Sequence, residues 1–175
     1  MRRSIVILFV ITFFMTGCSK DKTPDTSGTA TINNILEWDN QKQTWFALGF
    51  LFSEAKLVSV LDVPPPDITV ISDGSDLLLQ ANNLKNSFYK SGEYADAASA
   101  KTAFDNLASA NVPQWEGLAY PIKANQVWIY RSGTEHYVKI RIISIIVEVR
   151  DNKDYGECTF EWVYQPDGSL TFPGK

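Results

Sequence analysis

The stretch QVWIYRSGTEHYVKIRIISIIVEVR, residues 126–150, decides the fold. Residues 126–131 and 136–150 are rich in β-branched and aromatic side chains, and the turn cluster Ser132–Glu135 lies between them. That pattern predicts a β-hairpin. Within the returning strand Val138, Ile140 and Ile142 alternate with Tyr137, Lys139 and Arg141, so one face should be buried and the other wetter. The chain's only histidine, His136, opens that strand.

Working outward, RDNKDYGE (150–157) reads as a loop. CTFEWVYQ (158–165) alternates Cys158, Phe160, Trp162 and Tyr164 with Thr159, Glu161, Val163 and Gln165, and Pro166–Gly168 turns it into SLTF. Upstream, TWFALGFLF (44–52) and KLVSVL (56–61) suit a hairpin of central strands, and three prolines precede a strand at 67–72. Residues 77–96 show no clean period and predict a long excursion, with Phe88, Tyr89 and Tyr94 as an aromatic wall or a cover for the core. One helix is expected near 97–110: Ala97, Ala100, Phe104, Leu107 and Ala108 follow the helical period, Asp96 caps the start, and Asn111 with Pro113 ends it. The expected fold is all-β, mostly antiparallel, with that one short helix, in a single domain over residues 33–175.

The N-terminus reads as a targeting segment. Arg2 and Arg3, an apolar run from Ile5 to Met15, and the small residues Thr16 and Gly17 lead to Cys18. The run is about half of the ~20 residues a membrane-spanning helix needs, which predicts a cleaved signal peptide over 1–17. MTGC resembles a bacterial lipobox, which implies diacylglycerol on Cys18 and a durable membrane anchor, since each buried methylene contributes ~0.8 kcal/mol. Residues 18–32 are polar and predict a flexible tether. Loss of Arg2 and Arg3 leaves 14 of the 16 basic residues against 20 acidic ones. Such a balance argues against a nucleic-acid partner, which clustered Lys and Arg would recognise.

Catalytic chemistry finds little support. A Ser-His-Asp hydrolase needs an acid and a serine converging on His136, and no G-x-S-x-G elbow occurs. Zinc sites draw on several His and Cys ligands, whereas the mature chain offers His136 and an unmodified Cys158, which reads as a small buried hydrophobe. His136 therefore has two readings, a ligand or a polar residue beside a turn. The chain is expected not to be an enzyme.

LGFLFSEAKLVSV followed by DITV, then QWEGLAYPIKANQVWIYRSGTEHYVKIRI and CTFEWVYQPDGSLTF, together resemble the HmuY-like haem-binding lipoproteins of Bacteroidota-type envelopes over about residues 45–172. The resemblance implies an outer-membrane lipoprotein, often surface-exposed, that takes haem from host proteins and passes it to a TonB-dependent receptor. The SKDK after Cys18 faintly resembles a surface-export signal. The chain departs from the family where axial ligands are concerned. Both methionines, Met1 and Met15, leave with the signal peptide, and His136 is the single histidine, so paired His/His or Met/Met ligation is excluded. Tyrosine also ligates ferric haem, which makes Tyr89, Tyr94 and Tyr120 candidates beside His136.

Two functions follow as expectations. The chain binds haem or a related porphyrin through aromatic walls, with one weak axial ligand or none. Alternatively it is an interaction module on the same scaffold, binding a protein or glycan through exposed aromatic side chains after losing haem.

Overall fold

The computed structural model describes residues 24–83 and 85–173. The signal peptide, Cys18 and the first part of the tether lie outside them. Most of the described chain is antiparallel β-structure, as the alternation predicted. It forms two sheets that share one core.

The strands, in chain order, are β1 (Ser27–Asn33), β2 (Leu36–Asp39), β3 (Thr44–Leu51), β4 (Lys56–Ser59), β5 (Ile68–Ser72), β6 (Leu77–Ala81), β7 (Phe88–Glu93), β8 (Leu118–Ile122), β9 (Gln126–Arg131), β10 (Tyr137–Arg150) and β11 (Lys153–Gln165). The helix α1 (Ala97–Asn106) falls between β7 and β8. The first sheet runs β1-β11-β10-β9-β7, and the second runs β2-β3-β5-β6-β8 with β4 also paired to β3. Val138, Ile140, Ile142, Cys158, Phe160 and Trp162 from the first sheet meet Phe50, Ile68, Val70, Leu77 and Leu79 from the second. Phe50 and Phe52 make edge-on contacts with Phe160 at 5.6 and 6.2 Å, which ties the sheets together through aromatic packing.

The expected hairpins hold. Tyr137 pairs with Arg131 across the Ser132–Glu135 turn, where Glu135 takes a positive φ of 62°. The alternation in β11 buries Cys158, Phe160 and Trp162 to 2% exposure or less, and burial pushes the Cys158 thiol pKa up, as suits a packed, unreactive side chain.

Five expectations are corrected. Residues 27–32, read as tether, belong to β1, which pairs along its length with β11: Ile32 opposes Cys158 and is buried, enough to hold an otherwise polar strand. Residues 77–96 are not one excursion, because β6 and β7 lie within them and belong to different sheets. The 150–157 loop shrinks to a two-residue turn: Asp151 and Asn152 both have positive φ, 49° and 58°, the primed geometry that matches strand twist, so Arg150 opposes Lys153.

The wetter face of β10 is dry at its start. Lys139 is 1% exposed and Arg141 9%. Helix α1, capped by Asp96 Oδ1 accepting from the Ser99 amide at 2.7 Å, lies over this face and buries Phe104 against Val127 and Val163. The helix ends at Asn106, short of 110, because the segment after it bridges to the C-terminus: Phe172 N–H donates to the Ala108 carbonyl at 2.8 Å. Among the described residues no helix is long and apolar enough to cross a membrane.

Candidate functional site

Two concavities lie at opposite ends of the β10–β11 hairpin. Strand β10 has 14 residues, and at ~3.3 Å per residue it extends ~45 Å. No single small ligand reaches both ends.

At the Asp151–Asn152 end a groove of about 710 Å³ opens between the hairpin tip and the β1–β2 connection. One wall is apolar and unusually exposed: Ile35 at 50%, Leu36 at 55% and Trp45 at 61%. Trp38 and Trp45 oppose each other in the β2–β3 register with ring centroids 5.3 Å apart, edge to face. Their turn is built by Asp39, whose Oδ1 accepts from the Gln41 and Lys42 amides at 2.8 and 3.0 Å. Asn34 clamps this wall to the hairpin: its side-chain amide donates to the Asp154 carbonyl at 2.9 Å and its Oδ1 accepts from the Gly156 amide at 2.8 Å.

The facing wall carries charge. Arg150 lies over the Tyr155 ring, 3.4 Å from its centroid, and pairs with Glu148, while Lys153, Asp151 and Asp154 line the rim. Tyr155 donates its hydroxyl to Glu157 at 2.6 Å. Burial and that carboxylate raise the phenol pKa, so Tyr155 is poorly disposed to ionise and ligate iron.

At the other end, a pocket of about 330 Å³ lies beside Pro64–Pro66 and contains His136. The imidazole Nδ1 stands 2.8 Å from the Tyr164 hydroxyl and 3.3 Å from Thr134 Oγ1, and the His136 amide donates to Ser132 Oγ at 3.0 Å. Asp67 Oδ2 accepts from the Phe52 amide at 2.9 Å, and its Oδ1 lies 3.3 Å from the buried Tyr130 hydroxyl. Burial raises the Asp67 carboxyl pKa. The histidine thus belongs to a polar cluster with Tyr164, and it is also the turn residue that the sequence suggested. Among the described residues no three His, Cys, Asp or Glu side chains group as metal ligands.

The tyrosine candidates are scattered. Tyr89 sits on β7 opposite Ile129. Tyr94 packs on the small cluster beneath α1. Tyr120 is 46% exposed on β8 and donates to Asp73 at 3.3 Å, and the Asp73 charge raises its phenol pKa. None of the three lines either concavity, so they do not converge on His136. Sequence reasoning missed Trp45, Arg150 and Tyr155, and also Asp67, Tyr130 and Tyr164. The one available signal was the pair of tryptophans flanking a turn in WDNQKQTW (38–45). No protein-family model matches the chain, and no curated protein matches it either.

Proposed function

We propose that the chain is a non-enzymatic lipoprotein of the HmuY-like type, anchored through Cys18 at the outer membrane, whose groove takes haem or a related porphyrin without histidine ligation. The observation that carries this reading is the groove's asymmetry. Exposed Trp45, Leu36 and Ile35 form one wall, and the other is charged, with Arg150, paired to Glu148, and Lys153 beside Asp151 and Asp154. A porphyrin has apolar faces and two carboxylates at one edge. Burial on aromatic and aliphatic side chains with a few polar groups for orientation is the usual binding mode of such a ligand, and arginine suits a carboxylate. Delivery to a TonB-dependent receptor would follow from the same family resemblance.

The test is a titration of the mature chain, in mild detergent with detergent-only blanks, with ferric and then ferrous haem. A saturable one-to-one Soret shift, weakened severalfold by Arg150→Gln with Lys153→Gln, supports the reading. Absence of any shift overturns it.

One observation favours the second reading. The Trp38–Trp45 pair continues the apolar wall beyond the groove, since Trp38 is 41% exposed and is not among the groove's lining residues. Exposed aromatic anchors of this kind suit a protein or glycan partner.

A further inference from the structure

The geometry points to the His136 pocket as a second, independent binding site, one that takes a small organic cation, a guanidinium or ammonium group on a short stem, against Asp67. The charges around it set the sign. Among the described residues Asp67 is the only acid lining the pocket, His136 is the one basic side chain there, and neither lysine nor arginine lines it. Lys85 approaches the rim, where its ammonium donates to the Gly133 carbonyl at 3.1 Å.

The hydrogen-bond inventory points the same way. Prolines carry carbonyl acceptors and no N–H, so Pro64, Pro65 and Pro66 add acceptors alone to the wall. The pocket's amides each already donate once within the protein: Asn82 Nδ2 to the Pro66 carbonyl at 3.0 Å, and Asn83 Nδ2 to the Arg131 carbonyl at 3.1 Å. The Asp67 carboxylate has one firm donor, the Phe52 amide at 2.9 Å, and one long one, Tyr130 at 3.3 Å. An ionised carboxylate accepts about four hydrogen bonds, so Asp67 has capacity left for a donor from outside. Guanidinium and ammonium groups are donors only and match an acceptor-rich, acidic pocket. The Tyr130 and Tyr164 rings lining it suit a cation as well.

Asp67 is also costly where it stands. Burial disfavours its charged form, and a cation donating to it would offset that cost.

The single histidine supplies the readout. In proton NMR the imidazole of the full chain gives one ring system, and His136 lines the pocket itself. N-acetyl-arginine amide or N-acetyl-lysine amide is expected to shift it saturably at neutral pH. N-acetyl-citrulline amide, the uncharged isostere of the arginine probe, should bind at least tenfold more weakly, and Asp67→Asn should weaken the cationic probes by a similar factor. Equal shifts with the citrulline probe, undiminished affinity in a folded Asp67→Asn variant, or no shift with either cation would overturn the proposal. The citrulline comparison is made on the unaltered protein and does not depend on the variant folding.

Discussion

Lys139 Nζ lies 2.8 Å from the carbonyl oxygen of Phe104, the residue whose ring caps the underside of α1. The same ammonium donates to the Leu107 carbonyl at 3.1 Å. These are the carbonyls at the helix C-terminus, which lack intrahelical partners and carry the negative end of the helix dipole. A strand residue that alternation assigns to water is instead the buried peg on which the helix sits.

Replacing Lys139 with methionine should keep the volume and remove both donations. Leaving buried acceptors without donors costs ~1–3 kcal/mol each at most, and we expect a loss of about 2–3 kcal/mol in urea unfolding. The variant should also loosen α1, seen as faster amide exchange over residues 97–106.

Arg141 and Glu161 form the second buried charge on this face, with the guanidinium Nε and Nη2 donating to Glu161 Oε2 at 3.0 and 2.9 Å. Arg141→Met removes both guanidinium donors and leaves Glu161 to Lys101, 3.6 Å from its Oε1, so the expected cost is ~1.5–3 kcal/mol. Pairing it with Glu161→Leu should recover part of that loss in a double-mutant cycle, because the carboxylate then leaves together with its guanidinium donors, while Lys139 on the same face keeps its helix carbonyls.

Asp67 predicts the pH dependence of one variant. Its folded-state pKa is raised by burial, so the folded protein holds that proton more tightly than the unfolded chain does. Its contribution to stability is present below the unfolded value of ~3.9 and is lost as pH rises through the folded value. Asp67→Asn should therefore match the parent protein in acid and exceed its Tm at neutral pH. Melting curves across pH 3–8 check this, and a variant less stable at neutral pH would refute it.

Gly156 on β11 faces the second sheet at close range. A β-carbon there would collide with Leu77 Cδ2 and come within 2.9 Å of Ser72 Cβ. Gly156→Ala should cost ~1–3 kcal/mol by forcing the sheets apart. It should also disturb the Asn34 clamp, whose Oδ1 accepts from the Gly156 amide.

What was legible in the sequence was local. Cys158–Tyr164 alternate so regularly that their buried face followed from the period alone, and Asp96 with the helical period of Ala97, Ala100 and Phe104 marked the helix, although Asn111 and Pro113 set its end too late. Residues 77–81, LLLQA, hid a strand because leucine stands on both faces: Leu77 and Leu79 are buried, while Leu78 is half-buried on the outer side. Residues 153–157 looked like loop because this part of β11 is rich in polar residues, yet the Asp151–Asn152 turn extends the hairpin through them. The burial of Lys139 depends on where α1 lies, which no period in β10 encodes. The groove was out of reach for the same reason. Trp45 and Arg150 are 105 positions apart in the sequence and meet only because two sheets pack face to face.

We propose that haem lies in the Trp45 groove and that His136 takes no part in holding it. The most direct measurement is the affinity for ferric haem of the mature chain, followed at the Soret band, with Trp45→Ala and His136→Ala compared in parallel. The expected result is saturable one-to-one binding that weakens tenfold or more in Trp45→Ala and is unchanged in His136→Ala. Binding lost in His136→Ala and intact in Trp45→Ala, or no binding at all, would contradict it.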